Sequence, residues 1–402
     1  MSITQQKFNE KIFYAYKFLS ACLPIYAFYT LLFKERGHSI TEIALLLSLW
    51  SVFTIIFEIP AGVLADRWNR RNMLLLASIS KAICFIIWFF SHSFFIFALG
   101  FAFWGISGAF KSGTEEGLIY DNLKFDNRKE DFTEVYGKAE FYGNIGIIMG
   151  IISAGILAIF TSIGVIALIS AVICLMNVFI ICQLREKNLY TARLGSESVN
   201  ILQTFKEATT FLQGNKAALI VMFFLVVVAS IGSYLDEFDA LIINDFQLDH
   251  LWVSAIFGIR FAFIAIGDIL APKVQKKLKS IRQIFTFNIL AGIFLLLFAF
   301  FWRQHFLLIF GLSFMVMAIT EILLINKLQN QIKEEGRATV MSLYGIGQNV
   351  IMILFSLVYA ALAGFFTLQQ VYMIISIYCI VGTVLFLLVV KDNKGVRRNG
   401  ST

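Results

Sequence analysis

Ionisable side chains inside long apolar runs are the residues of this sequence that could do chemistry. A charged group is costly in such a run, so it usually pairs with another charge, binds a solute or moves a proton. Eight are candidates for solute or proton binding: Lys17, Lys111, Glu115, Glu116, Asp236, Asp239, Arg260 and Glu321. Further charges in such runs are Glu58, Lys81, Lys138, Glu140, Glu237 and Asp268.

Lys111 and Glu115 are separated by the four-residue spacing that places two side chains on one helix face. Trp104 and Gly108 fall on the same stripe, whereas Glu116 points about 100° away. A carboxylate that titrates near neutral pH in this setting could carry a proton in exchange for a solute. The alternative is a fixed structural ion pair.

Three acids close together form a second candidate, because Asp236, Glu237 and Asp239 lie within one helical turn. Asp236 and Asp239 share a face and could trap a cation or hold a proton. The alternative is that the helix ends early and the acids are solvated. Arg260 stays protonated, so we expect it to pair with these acids or with an anionic solute.

Composition indicates which elements position these residues. Hydrophobic residues make up 59% of the 402 and charged residues only 15%, whereas a soluble domain is about 25% charged. The mean hydropathy is +0.79. This predicts an all-α polytopic membrane protein, because a single soluble core stops growing near about 250–300 residues.

The same composition argues against several functional classes. The net charge of +7 is divided among short clusters with no continuous basic face, so we expect no nucleic-acid partner. The five cysteines and four histidines lack metal-ligand spacing, and no nucleotide-binding loop is present. We therefore expect no metal, no cofactor and no enzymatic activity.

Twelve apolar segments are long enough to cross a bilayer, which takes about 20 residues each. The predicted spans are 12–33, 41–65, 72–91, 94–123, 133–160, 163–184, 217–242, 250–271, 282–302, 305–328, 338–364 and 368–390. Lysine and arginine concentrate on the side of the termini, whereas the other side receives only Lys34, Arg36 and Arg303. This bias predicts an inner (plasma) membrane protein with both termini in the cytoplasm.

A long polar loop over 185–216 divides the chain into two predicted six-helix bundles, 1–184 and 217–402. Within the loop, residues 199–212 have the apolar spacing of a short surface helix. Thr114-Glu115 in span 4 is matched by Thr320-Glu321 in span 10, 206 residues later. This offset predicts a duplicated unit, a pattern common in secondary transporters that bind solute between their repeats.

The stretch Gly62-Val-Leu64-Ala-Asp66-Arg67-Trp-Asn69-Arg70-Arg71-Asn-Met-Leu74 follows span 2. It resembles the signature that the major facilitator superfamily carries between its second and third helices. The sequence departs from it at Asn69, where the signature has glycine. Because asparagine tolerates a positive φ angle better than most residues, we expect the tight turn to survive.

The resemblance implies a conformational latch that closes one side of the protein in one state and opens in the other. Its residues would be Gly62, Asp66, Arg67, Arg70, Arg71 and Asp121. Asp66 would face the start of the eleventh helix near Arg337, and Arg70 would pair with Asp121. The alternative is a static loop contact that never switches.

The resemblance also implies a central cavity lined by spans 1, 4, 7 and 10, which carry most of the candidate charges. We expect a monomer in the lipid bilayer that exports small amphipathic compounds or a metabolite in exchange for protons. The aromatic residues, methionines and acids of these spans favour that reading over a sugar carrier. The alternative is a proton-coupled importer of an anionic metabolite or siderophore held by Arg260 and Lys111.

Overall fold

A computed structural model shows the backbone of most of the chain. It describes residues 3–67, 69–112, 114–128, 131–184, 186, 214–249, 251–329 and 337–390. The surface helix predicted over 199–212 lies outside these ranges, as does most of the predicted loop over 185–216.

The described residues form helices and the turns that join them, with no strand among them. Twelve helical segments are long and apolar enough to cross a membrane, so the predicted all-α fold with twelve spans is confirmed for the described part of the chain. A helix satisfies its backbone polar groups internally, which is what an apolar environment requires.

Eight described α-helices precede the polar loop. They are α1 (Ile3–Ala21), α2 (Tyr29–Glu35), α3 (Ile40–Arg67), α4 (Arg70–Phe90), α5 (Phe94–Lys111), α6 (Thr114–Phe125), α7 (Phe132–Phe160) and α8 (Ile163–Gln183). Eight more described α-helices follow the loop. They are α9 (Lys216–Phe224), α10 (Ile231–Asp239), α11 (Ile242–Phe246), α12 (Leu251–Lys277), α13 (Ile281–Phe301), α14 (Leu307–Gln329), α15 (Arg337–Ala363) and α16 (Leu368–Val389).

The chain divides into two compact units. The first comprises Met1–Ser198, Glu237–Gly258 and Met352–Phe365, and the second comprises Val199–Asp236, Ile259–Ile351 and Phe366–Thr402. Within the first unit α1 packs against α7 and α8, and α4 packs against α5 and α8. Within the second, α13 packs against α14 and α16.

The first span is not one continuous helix, because a short 3₁₀ helix, Pro24–Ala27, separates α1 from α2. Proline has no backbone N–H and its ring obstructs the preceding turn, so Pro24 explains the break. Just before this break, the end of α1 lies very close to helix α7. A Cβ atom added to Gly146 would overlap the carbonyl oxygen of Phe18.

The seventh span is interrupted as well, although it contains no proline. A π-helical turn, Leu225–Ala229, joins α9 to α10. The Leu225 carbonyl oxygen accepts from both the backbone N–H and the hydroxyl of Ser230, at 3.0 and 2.7 Å. Single π turns inside α-helices are frequent at functional sites.

The prediction of one helix over residues 94–123 is wrong. Helix α5 ends at Lys111, and Ser112 leaves the helical conformation with a ψ angle of 122°. A second helix, α6, starts at Thr114, beyond the apolar segment Phe94–Lys111 that is suited to crossing a membrane. Serine followed by glycine favours such a break, and it places Glu115, Glu116 and Asp121 on a separate short helix.

Candidate functional site

A buried carboxylate, that of Glu115 on α6, forms the centre of a charged cluster in the first unit. The Lys17 ammonium donates to its Oε2 at 2.8 Å, and the Tyr16 hydroxyl donates to its Oε1 at 2.6 Å. The Lys111 ammonium lies 3.2 Å from the same Oε1. The predicted pairing of Lys111 with Glu115 is therefore confirmed, with a second lysine and a tyrosine added.

The cluster continues to α7, where Glu140 accepts a second hydrogen bond from Lys17 at 2.8 Å. Charges of opposite sign thus alternate along Lys111, Glu115, Lys17 and Glu140. The side chain of Glu115 is 9% exposed and that of Glu140 is 43% exposed. Two ammonium groups and a hydroxyl all favour the ionised form of the Glu115 carboxylate.

The positions of Tyr16 and Lys17 follow from the packing of α1. Asn177 on α8 donates to the carbonyl oxygen of Tyr16 at 3.4 Å. Gly143 on α7 leaves the Lys17 stem at ordinary contact distance, since a Cβ there would lie 3.7 Å from the Lys17 Cε. Glu116 also belongs to α6, but its side chain lies outside the described part of the structure.

A pocket in the second unit brings together three of the predicted residues. Its volume is about 190 Å³. Its lining consists of Ala229, Gly232, Asp236, Arg260, Phe261, Ile264, Phe314, Met317, Ala318 and Glu321. The π turn of the seventh span ends at Ala229 on the pocket wall, so the irregular backbone shapes the site.

Arg260 is 1% exposed and is one of the largest buried side chains. Its guanidinium donates to the carbonyl oxygen of Gly232 and lies 3.7 Å over the Phe314 ring. The flat guanidinium can stack on a ring and donate hydrogen bonds at its edge at the same time. The sequence alone predicted neither the carbonyl nor the ring as a partner.

Glu321 on α14 accepts its hydrogen bond from a neutral group. The Tyr344 hydroxyl donates to its Oε1 at 3.1 Å, and Gln348 donates to that hydroxyl at 2.8 Å. Gln348 also donates to the Ser230 hydroxyl at 3.2 Å, which ties the network to the π turn. Within the described residues, no lysine or arginine is paired with Glu321.

The acids of α10 differ in burial. Asp236 lines the pocket and is partly buried, whereas Asp239 at the end of the helix is 0% exposed. The helix does end at Asp239, as one interpretation held, but the idea that this acid is solvated is wrong. The ring of its neighbour Phe238 stacks on Tyr359 with centroids 3.7 Å apart, which helps to close this region to water.

One contact of the predicted latch is present, and the static alternative predicts it as well. Arg70 and Asp121 form the expected ion pair at 3.3 Å. The Arg70 guanidinium lies directly over Gly117, where a Cβ atom would overlap it. Gly62, Asp66 and Arg67 belong to α3, but their side chains are outside the described part, so the contact predicted for Asp66 remains a prediction.

The predicted positive φ at Asn69 is wrong. Asn69 has φ −64° and ψ 134°, the extended conformation of a residue that precedes a helix. Its side chain makes no capping hydrogen bond. Glu186 takes that role instead, because its two carboxylate oxygens accept from the backbone N–H groups of Arg70 and Arg71 at 2.9 and 3.0 Å.

Comparison with known proteins was made for sequence and for structure. The family model of the Major Facilitator Superfamily matches residues 14–356. The chain is 24% identical over 331 residues to the uncharacterized transporter BU466 of Buchnera aphidicola subsp. Acyrthosiphon pisum (strain APS), 81% of each chain. It is 35% identical over 78 residues to the uncharacterized MFS-type transporter YfkF of Bacillus subtilis (strain 168), a match that spans only 18% of each.

Solved structures resemble the fold along nearly its whole length. The nucleoside transporter NupG is similar with a TM-score of 0.80 and 16% identity, covering 95% of this chain and 100% of that one. The D-xylose-proton symporter is similar with a TM-score of 0.68 and 11% identity, covering 98% of each. At these identities the likeness concerns the fold.

Proposed function

The chain belongs to the major facilitator superfamily and is a secondary transporter rather than an enzyme; we propose that it exports small amphipathic organic compounds in exchange for protons, by alternating access. The observation that carries this proposal is the pocket around Glu321, where a carboxylate without a described cationic partner faces aromatic and thioether groups.

The negative charge of such a carboxylate can be neutralised in two ways, by a proton or by a bound cationic group. The two compete for one site, so the arrival of one releases the other. That competition is the physical requirement for exchanging a solute against protons. Glu321 therefore serves as the proton and solute site in this proposal, with Asp236 as the second acid of the pocket.

The apolar lining suits the proposed solutes. Phe261 and Phe314 offer ring faces, which attract cations as well as apolar groups. Met317 offers a polarisable, adaptable surface that fits solutes of different shapes. Amphipathic compounds with a basic nitrogen match this combination better than sugars, which need many hydrogen-bonding partners.

We assign a different role to the Glu115 cluster. Its acid is already held by Lys17 and Lys111, so it acts as a fixed charge whose partners change between states. The latch pair of Arg70 and Asp121 would open and close one side of the protein in the same cycle. The protein would work as a monomer in the plasma membrane with both termini in the cytoplasm.

Import of an anionic metabolite together with protons is the alternative function. The observation in its favour is Arg260, because its permanently charged side chain lines the same pocket. Against it, the other cation proposed for this role, Lys111, lies within 3.2 Å of a carboxylate oxygen of Glu115. The anion would have to compete with that carboxylate.

Proton movement in proteoliposomes tests the proposal directly. Vesicles that contain the protein and a pH dye are given gradients of cationic, neutral or anionic organic compounds. We expect a cation gradient to drive protons in the opposite direction, and Glu321→Gln to abolish this movement. Asp249→Asn is the matched control, because Asp249 is an exposed acid just before α12 that does not line the pocket.

The outcomes separate the two functions. Protons that move with the solute, and only for anions, would support the importer and overturn the exporter. Coupled transport that survives Glu321→Gln unchanged would remove Glu321 from the proton site.

A further inference from the structure

A third lysine, Lys81 on α4, is buried in the first unit among aromatic rings. The residue is 9% exposed. Its Nζ lies 3.3 Å from the ring centroid of Trp104, 5.3 Å from that of Tyr26 and 5.8 Å from that of Phe85. Trp104 belongs to α5, on the same helical stripe as Lys111.

Lys81 differs from Lys17 and Lys111 in its partners. Lys17 and Lys111 both contact carboxylates, whereas Lys81 has no hydrogen bond or ion pair with any described residue. The ring faces are its only described partners.

The groups around Lys81 do not compensate a positive charge. Cys84 on its own helix, Cys174 on α8 and Tyr26 in the 3₁₀ segment face it, and each is neutral unless it loses a proton. The charged group that acts on it is Lys111 at the end of α5, which carries the same sign. The acid Glu237 acts on the neighbouring Tyr26.

An ammonium group in such a place is poorly stabilised. Ring faces offset part of the loss of hydration, but a buried charge without a counter-charge normally gives up its proton. The amine is therefore neutral while the cluster is closed, and it gains a proton when water reaches it.

We propose that Lys81 is a second proton-binding site of the transport cycle, neutral in the conformation seen here and protonated when the ring cluster around Trp104 opens to water. This rests on the proposed function, because it assigns the proton a binding site in the first unit.

The first test measures protonation without transport. Tryptophan emission of the purified protein in nanodiscs is recorded from acidic to alkaline pH, because protonation of Lys81 and the accompanying opening of the ring cluster change the surroundings of the Trp104 indole. We expect one pH-dependent step that is absent in Lys81→Met and in Trp104→Phe. Cys174→Ser is the control that should keep the step, since it removes only a neighbouring thiol.

The second test measures coupling in proteoliposomes. We expect Lys81→Met to lower proton-driven transport by at least about tenfold, while exchange of labelled for unlabelled solute, which needs no net proton transfer, stays within about twofold. Lys81→Arg should impair proton-driven transport as well, because arginine keeps its charge at every physiological pH.

Three outcomes would overturn the proposal. They are a wild-type protein without the emission step, full proton-driven transport with arginine at position 81, and a Lys81→Met variant that only weakens binding of anionic solutes. The last would make Lys81 an anion site. Glu321→Gln should keep the emission step, so a failure of the proposed function at Glu321 can be told apart from a failure at Lys81.

Discussion

At the scale of single residues, the two acids that the predicted repeat relates to each other have different surroundings. Glu115 is held by Lys17, Lys111 and a tyrosine hydroxyl, whereas Glu321 accepts from the hydroxyl of Tyr344. The number of nearby ammonium groups decides whether a carboxylate stays charged. Sequence reasoning treated the two as equivalent, because their partners come from other helices.

The contact of Arg70 with Gly117 leads to a prediction at this scale. Gly117→Ala places a methyl group where the guanidinium now lies, so Arg70 must move away from Asp121. Because the arginine side chain is flexible, we expect the fold to be retained. Transport should fall by roughly two- to thirtyfold, the range that corresponds to about 0.5–2 kcal/mol of conformational coupling.

Initial transport rates and the midpoint of thermal unfolding check this expectation. Gly108→Ala is the matched control, because a Cβ atom there would meet no atom within 4 Å. Equal rates for the two variants would mean that the ion pair of Arg70 with Asp121 is a static contact rather than a latch.

At the scale of helices, the sequence was sufficient for the number of spans but not for their breaks. Apolar length identifies a span, since about 20 apolar residues cross a bilayer. Pro24 marks the break in the first span, although the predicted span over 12–33 was continuous. Nothing comparable marks the π turn at Leu225–Ala229. There the Ser230 hydroxyl donates to the Leu225 carbonyl oxygen and accepts from Gln348.

The candidate site was predictable in its residue types and less so in its contacts. An acid inside an apolar run is visible in sequence, which is why Glu115, Asp236 and Glu321 were found. Which hydroxyl or ring meets it depends on the rotation and tilt of the neighbouring helix. The hydroxyls of Tyr16 and Tyr344 were missed for that reason.

Helix packing gives a prediction about stability. Gly146→Ala on α7 would place a methyl group against the Phe18 carbonyl oxygen, a backbone atom that cannot turn aside. We expect the free energy of unfolding to fall by about 1–3 kcal/mol, the usual effect of overpacking. Unfolding in mixed micelles with increasing dodecyl sulfate measures it.

Gly143→Ala on the same helix is the control for this change. Its nearest neighbour would be the Lys17 Cε at 3.7 Å, an ordinary contact, so we expect stability to stay equal or to rise slightly. If Gly146→Ala were as stable as this control, α1 and α7 would have to be less tightly packed than the structure shows.

At the scale of the whole molecule, the charges outside the spans carry information that the fold does not. A twelve-helix fold can be inserted in either orientation, and the distribution of lysine and arginine selects one of them. Lys34 lies at the end of the first span, and Lys276 lies at the end of the eighth. The proposed orientation puts Lys34 outside the cell and Lys276 in the cytoplasm.

Labelling of single cysteines tests this orientation. The five native cysteines, of which Cys182 is exposed, are first replaced by serine. Lys34→Cys and Lys276→Cys are then introduced separately, since both lysines are exposed. In intact cells we expect a membrane-impermeant maleimide to label only the cysteine at position 34. After permeabilisation the maleimide should label both cysteines. The reverse pattern in intact cells would mean that the termini face outward. Protons and solute would then move opposite to the proposed directions.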